Sequence, residues 1–280
     1  MAAASPKTFL ITGVSSGLGK AFATAALEAG HRVAGTVRRA EDAQAFEALA
    51  PGGAYALVLD VTDFEAIAGA VAEAERRAGP IDVLVNNAGY GHEGVMEESS
   101  MDELQRQFAA NVFGPVAMMK AVLPGMRARR GGHIVNVTSM GGFITMPGIS
   151  YYCGSKFALE GISESLGKEV AAFGIRVTAL APGQFRTEWA GRSMQRTARS
   201  IADYDAVMDP IRQARQAKSG NQPGDPAKAA QALLTLVESE NPPVRLFLGE
   251  DALGLVERKL SAMAEEMHAW DALSRSTAFE

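Results

Sequence analysis

Ser139, Tyr152 and Lys156 bring a hydroxyl, a phenol and an ammonium into one stretch, SMGGFITMPGISYYCGSK. Tyr152 and Lys156 are four residues apart, so a helix through both sets them on one face. A phenol ordinarily ionises at about pH 10 and is a poor acid or base near neutrality. A neighbouring ammonium favours the phenolate and brings that value down. The trio is therefore a candidate proton-transfer device. Tyr-x-x-x-Lys arises readily by chance in a chain of this composition, so the elements that would position it have to decide.

The chain has 280 residues, enough for one large α/β domain or two smaller ones. Its 47% hydrophobic and 21% charged side chains fit a soluble globular protein. A formal net charge of -5 leaves no electrostatic footprint for nucleic acid. The single cysteine, Cys153, excludes an internal disulfide and a cysteine-based metal cluster, and suits a reducing compartment. The N-terminal MAAASPKTFLITG has too short an apolar run for a secretory signal, and no run approaches the roughly 20 residues of a membrane span. A cytoplasmic protein with a small-molecule partner is expected.

The apolar run Thr8 to Thr12 reads as a buried strand, followed by Gly13, Ser15, Ser16, Gly17, Leu18 and Gly19 and a helix from Lys20 to Ala29. Strand, glycine loop and helix form the context of a phosphate-binding turn, in which backbone approaches a pyrophosphate and a new helix presents free N–H groups. The spacing is G-x-x-x-G-x-G, and a plain glycine-rich turn is the alternative. A second strand, Arg32 to Val37, ends at Arg38 and Arg39. An acid there would bind an adenosine ribose hydroxyl, whereas arginine accommodates a 2′-phosphate. Two guanidiniums and no acid favour NADP(H), with Ser15 and Ser16 able to add hydroxyls; a solvated charge pair is the other reading.

Tyr55 to Leu59 forms a third strand ending at Asp60 and Val61, where Asp60 either reaches an adenine edge or caps the helix from about Phe64 to Ala78. Ile81 to Val85 is the fourth strand and runs into Asn86, Asn87, Ala88 and Gly89, a turn suited to close approach of a cofactor. A helical region from Met101 to about Met126 contains Asn111, which competes for backbone hydrogen bonds and so marks a helix distortion or a functional group. His133 to Thr138 is strand five, with Ser139 at its end. The helix of Tyr152 and Lys156 runs to about Phe173. Ile175 to Leu180 is strand six, ending at Pro182 and Gly183. Alternating strands and helices predict a doubly wound parallel sheet covered on both faces. A TIM barrel would need an eighth strand and no glycine turn after the first.

From Gln184 to Pro226 the alternation breaks, and a loop of this length reads as a helical lid over a substrate cleft or as surface helices without function. Trp189, Met194, Tyr204 and Met208 would make such a cleft partly apolar, while Arg186, Arg192, Arg196 and Arg199 could greet an anion. A helix from Ala227 to Glu238, a seventh strand from Val244 to Leu248 and a helix from about Ala252 to Ser274 complete residues 1–280 as one domain.

TGVSSGLG, NNAG, Asn111, Ser139, Tyr152-x-x-x-Lys156 and Pro182-Gly183 occur in the order and approximate spacing of the short-chain dehydrogenase/reductase family. The chain resembles that family over nearly its whole length. The resemblance implies a seven-stranded Rossmann-type sheet, one nicotinamide cofactor and an Asn111, Ser139, Tyr152, Lys156 catalytic set. It also implies a homodimer or homotetramer built on the helices of Asn111 and Tyr152, and a contact from Thr187 to the nicotinamide amide or the pyrophosphate. The TVRR strand end, the lid and the C-terminal tail are most similar to the 17-beta-hydroxysteroid dehydrogenase-like subgroup, which takes lipophilic alcohols and ketones.

On that resemblance Tyr152 is the proton donor or acceptor for a carbonyl/alcohol pair, and Ser139 stabilises charge on its oxygen. Lys156 lowers the Tyr152 pKa and holds ribose hydroxyls, and Asn111 anchors a water next to Lys156. Tyr151 adjoins the catalytic position but has Ser155, not lysine, four residues on. His92 and Cys153 read as structural residues rather than catalysts. A non-catalytic NADP(H)-binding sensor or scaffold is the alternative, and it would predict loss of at least one member of the catalytic set.

Overall fold

A computed structural model describes residues 5–191 and 193–279. Its first half builds β1 (Thr8–Ile11), α1 (Gly17–Glu28), β2 (Arg32–Val37), α2 (Glu41–Glu47), β3 (Ala54–Val58), α3 (Phe64–Ala78), β4 (Val83–Asn86), β5 (Gly91–Glu93) and α4 (Met101–Phe108). A π turn, Ala109–Phe113, leads into α5 (Gly114–Arg129), β6 (Gly132–Val137), α6 (Ser150–Val170) and β7 (Ile175–Pro182). Then come β8 (Met194–Arg196), α7 (Asp205–Ala217), α8 (Pro226–Glu238), β9 (Arg245–Leu248), α9 (Glu250–Ala269) and α10 (Asp271–Arg275).

Seven strands form one sheet in the order β3-β2-β1-β4-β6-β7-β9, and every pair is parallel. Because a parallel sheet is covered on both faces, its central strands carry apolar residues on both faces. In β1, Phe9 and Ile11 face a layer with Phe22 of α1 and Leu233 of α8. Leu10 faces the opposite layer, with Ile67 of α3 and Met118 of α5. Each such fully buried side chain contributes roughly 1.5–3 kcal/mol. The chain reverses direction across the sheet between β1 and β4, and that switch point is where open α/β sheets bind ligands.

The structure departs from the sequence expectations in four places. The long helix after Met101 is interrupted at Asn111, where Pro115 both lacks an N–H and crowds the carbonyl four residues back; the π turn relieves that crowding. Asp63, not Asp60, caps α3 by accepting from the Ala66 N–H, while Asp60 folds onto Thr62. A second small parallel sheet pairs β5 with β8 and fastens the segment after Gln184 to the body. The last helix stops at Ala269, and α10 follows as a separate short turn. Met101–Arg129 is long and apolar enough to cross a membrane by length and composition. Met118, Met119, Val122 and Met126 of that stretch are spent on the core.

Candidate active site

The four residues of the Asn-Ser-Tyr-Lys set converge at the C-terminal edge of the sheet. Ser139 stands just past β6, with extended backbone, and its Oγ accepts from the Gly141 N–H at 3.0 Å. Tyr152 and Lys156 lie in the first turns of α6, both 6% exposed. A Cβ placed on Gly141 would lie 3.3 Å from Tyr152 Cε1 and 3.4 Å from Ser139 Oγ, so phenol and hydroxyl flank one small space. The Ser139 hydroxyl hydrogen-bonds the phenol. The Lys156 ammonium donates to the Val137 carbonyl at 2.9 Å and sits 5.9 Å from the Tyr152 ring centre.

Asn111 is buried in the π turn, and both ends of its amide are engaged. Oδ1 accepts from the Tyr90 N–H at 3.2 Å, and Nδ2 donates to the Tyr90 carbonyl and the Ser155 hydroxyl, each at 3.1 Å. The side chain therefore clamps the Gly89-Tyr90 turn. A Cβ on Gly89 would press 2.8 Å from Asn111 Oδ1 and lie 3.9 Å from Lys156 Nζ, so Asn111 and Lys156 share that corner.

Burial governs the protons here. It pushes the Tyr152 phenol well above its ordinary value, and the Ser139 hydrogen bond only partly offsets it. It also brings Lys156 down to about 8, opposed by the carboxylate of Glu160 one turn along α6.

The glycine turn packs backbone on backbone. Gly13 and Gly17 have φ of 74° and 58°, left-handed conformations that glycine adopts without steric cost. A Cβ on Gly19 would fall on the Gly13 carbonyl oxygen and the Asn87 amide. Asn87 Nδ2 donates to the Thr12 and Gly13 carbonyls at 2.9 and 3.2 Å, and the Asn87 and Ala88 N–H groups both donate to Thr12 Oγ1 at 2.9 Å. Ser16 caps α1 in extended conformation without a side-chain bond, which leaves the first-turn N–H groups of α1 free to meet an anion. Leu18 packs on the core while Ser15 is exposed. Thr187 faces Gly17, 3.7 Å from where its Cβ would be. Pro182 ends β7, and Gly183 is pressed against Asp251, whose carboxylate accepts from the Gln184 N–H. A dinucleotide fits this set: a floor without side chains, open helix N–H groups, and a lysine beside a glycine corner.

Arg38 and Arg39 both extend from the end of β2, but they are not equivalent. Arg39 forms two bonds of 3.1 Å to Asp42 and pairs with Glu41 at 2.9 Å. Arg38 is exposed and makes no ion pair among the described residues. Val61 is buried against Gly114, and Asp60, folded onto Thr62, is exposed.

Trp189 tilts over the Tyr152 ring at 5.0 Å between ring centres, beside Met146, Ile149 and Cys153. Burial raises the Cys153 thiol above its usual value, consistent with a packing role. Met194 and Met208 are buried against Gly91 and Gly148, and Tyr204 bonds Glu97 instead of lining a cleft. The arginines expected to greet an anion are engaged: Arg186 with the Gln222 carbonyl, Arg196 with Glu93, and Arg199 with Asp205 and Asp209. Arg192 lies outside the described residues. Tyr151 donates to the Ser99 carbonyl and stacks on His92, well away from the Ser139 hydroxyl that Tyr152 meets. His92 is buried against Thr197 and Glu103, and burial lowers its pKa.

Sequence reasoning missed the latch that holds α7 down. Glu93, 4% exposed, pairs with Arg215 at 2.6 Å and Arg196 at 3.1 Å. Arg215 also donates to the Pro147 carbonyl, and Glu98 accepts from the Ser200 and Ile201 N–H groups. The partners are separated by about a hundred residues, and no local pattern announces them.

Comparison with known proteins agrees with this geometry. Residues 7–198 match the family described as short chain dehydrogenase. Oxidoreductase BOA17 of Botryotinia fuckeliana is 37% identical over 97% of this chain and 99% of its own. The NADPH-dependent 3-dehydrocapnine reductase of Ornithobacterium rhinotracheale is 36% identical over 66% of this chain and 67% of its own. The crystal structure of a short-chain dehydrogenase from Streptomyces avermitilis superposes with a TM-score of 0.91 at 42% identity, covering 98% of this chain and 99% of that one. ElxO with NADP bound superposes at 0.73 with 26% identity, covering 89% and 99%.

Proposed function

The chain belongs to the short chain dehydrogenase family, and from that premise we propose that it interconverts a lipophilic ketone and its secondary alcohol using NADP(H). The observation that carries this reading is the Ser139–Tyr152 pair enclosed under Trp189, with Lys156 beside the glycine corner. When bound, the nicotinamide supplies or takes up the hydride. Tyr152 gives its proton to the carbonyl oxygen in reduction and takes it back in oxidation. Ser139 donates a hydrogen bond to the same oxygen and stabilises the charge that develops there. Lys156 holds ribose hydroxyls, Asn111 fixes the Gly89-Tyr90 turn beside it, and Thr187 meets the cofactor next to Gly17. The first-turn N–H groups of α1 hold the pyrophosphate, and Arg38 holds a 2′-phosphate.

Preference for NADP(H) is supported by Arg38 and by the NADPH-dependent relative and the NADP-bound neighbour. A lipophilic substrate is supported by the apolar wall of Trp189, Met146 and Ile149, and by the local occupation of the described lid arginines. In this reading residues 184–226 are the substrate lid. A second copy docks on the face of α5 and α6, where a groove lined by Val116, Leu123 and Ile162 lies open and Phe113 and Phe157 are exposed.

The test is NADPH consumption against steroid ketones, aromatic ketones, aldehydes and keto-acids, with Tyr152→Phe as control. Turnover with an apolar ketone is expected, with the variant binding NADPH but losing activity by at least about a hundredfold. Substantial activity in Tyr152→Phe would reject the assignment. Silence across the panel would favour a non-catalytic NADP(H) sensor.

A further inference from the structure

Glu160 lies one turn beyond Lys156 on α6 and is 4% exposed. An acid at that depth has to be paired, and one of its oxygens is: Oε2 accepts from Arg245 Nε at 2.6 Å. The other oxygen, Oε1, is buried and accepts from nothing among the described residues. Buried polar atoms are nearly always bonded, so this one calls for a reason. The backbone nearby is shaped around it. A Cβ on Gly142, in the turn that follows Ser139, would lie 3.0 Å from Glu160 Cγ and 3.0 Å from the Lys156 carbonyl oxygen. Glycine at 142 therefore lets that turn close directly over the helix from Lys156 to Glu160.

Lys156 is a buried charge with no counter-ion in contact. Its ammonium donates to the neutral Val137 carbonyl of β6 and forms no ion pair among the described residues. The Tyr152 phenol on the same helix and the Asn111 amide from the π turn complete its surroundings, and neither is an anion at neutral pH. Arg245 of β9 takes up only part of Glu160, because its guanidinium also lies 3.7 Å from Glu164 and 5.6 Å from the Phe143 ring centre.

We propose that Glu160 is a positioning residue for the proton on Lys156, its buried charge keeping that lysine an ammonium, a role that rests on Lys156 belonging to the reacting site proposed above. Residues four apart share a helix face, and in a dry interior a unit charge one turn away offsets much of what burial costs the ammonium. Burial brings Lys156 to about 8 even with Glu160 opposing it, so without that carboxylate the lysine would be largely neutral at physiological pH.

A plain tie between α6 and β9 predicts something different. The bond to Arg245 needs an acceptor of the right length, which glutamine supplies and aspartate does not. A charge effect on Lys156 needs a carboxylate, which aspartate supplies and glutamine does not. The test is pH titration of the lysine ¹³Cε signals in the full chain, where Lys156 stands apart from ordinary lysines near about 10.4 and is identified by its loss in Lys156→Met. Glu160→Gln should lower the Lys156 midpoint by about one unit or more, and Glu160→Asp should leave it within about half a unit. Glu164→Gln, which takes a more exposed carboxylate from the same arginine, should leave it in place. The alkaline limb of kcat/KM for ketone reduction should move down with the midpoint in Glu160→Gln. An unmoved midpoint in Glu160→Gln, an equal shift in Glu160→Asp or Glu164→Gln, or a shifted midpoint with an unshifted limb would overturn the proposal. The titration needs neither coenzyme nor turnover. A chain that reduces no ketone would therefore count against the proposed activity, while the Lys156 midpoint still decides the role of Glu160.

Discussion

Arg38 and Arg39 are adjacent and identical in type, and the structure separates their roles. Arg39 is already shared between Asp42 and Glu41, so a phosphate would have to compete with two carboxylates for it. Arg38 has no such competitor among the described residues and points from the strand end that follows the glycine turn in the sheet. A hydrogen bond to a charged group contributes about 1.5–3 kcal/mol, so Arg38→Ala should raise the NADPH dissociation constant by about 10- to 150-fold. Arg39→Ala should change it by no more than about threefold, since loss of the arginine also frees Asp42 and Glu41. NADH, without the 2′-phosphate, should bind both variants as it binds the wild type. Fluorescence titration with each coenzyme at two salt concentrations measures all of this, and the Arg38 effect should shrink as salt rises. A larger loss in Arg39→Ala, or an unchanged NADPH/NADH ratio in Arg38→Ala, would refute the argument.

Gly19→Ala should abolish coenzyme binding and lower the urea midpoint, because its methyl would displace the Asn87 amide from the Thr12 and Gly13 carbonyls; near-normal binding would show that the turn can relax. Arg215→Met should leave Glu93 short of a partner, raise KM for the ketone several-fold and hasten tryptic cleavage within 184–226, whereas an unchanged cleavage rate would mean that α7 is held by Met208 packing alone. His133 supplies the pH prediction: burial lowers it to about 3, below the roughly 6.5 of an unfolded histidine. The unfolded chain therefore takes up a proton that the native state refuses, so this contribution is complete above about pH 6.5 and is lost at up to about 1.4 kcal/mol per pH unit below it. His31 and His92 are lowered by burial too and act in the same direction. His133→Asn should remove about one proton's worth of that slope in urea melts between pH 7 and 5, and an equal slope in the variant would contradict the assignment.

The sheet was legible because strands buried on both faces are rich in apolar residues without alternation, as Phe9–Ile11, Val83–Val85 and Ala179–Pro182 are. The turn after β1 was legible because backbone contact demands glycine at 13 and 19, and no other residue substitutes. Tyr152 and Lys156 were legible from helical spacing. Arg39's engagement could have been read from Glu41 and Asp42 just ahead of it, and the π turn from Pro115 four residues after Asn111. The strand pair β5–β8 and the Glu93–Arg215 latch could not, because long-range pairing of three-residue segments leaves no period in either segment.

The pKa pattern was illegible for a different reason, and it alters the meaning of the Tyr-Lys motif. Spacing says that the two groups are neighbours, and neighbours of opposite charge are expected to stabilise each other's charged forms. Depth in the protein adds an opposing effect. Burial penalises charge of either sign, so it raises the phenol and lowers the ammonium at once, driving the pair toward neutrality from both ends. Val137 and Glu160 keep Lys156 from losing its proton altogether, and Ser139 is the one group that favours the phenolate. Left to the chain's own residues, Tyr152 therefore holds its proton, which is the form that reduction of a carbonyl consumes. Oxidation of an alcohol would start from the phenolate and would first have to work against that burial.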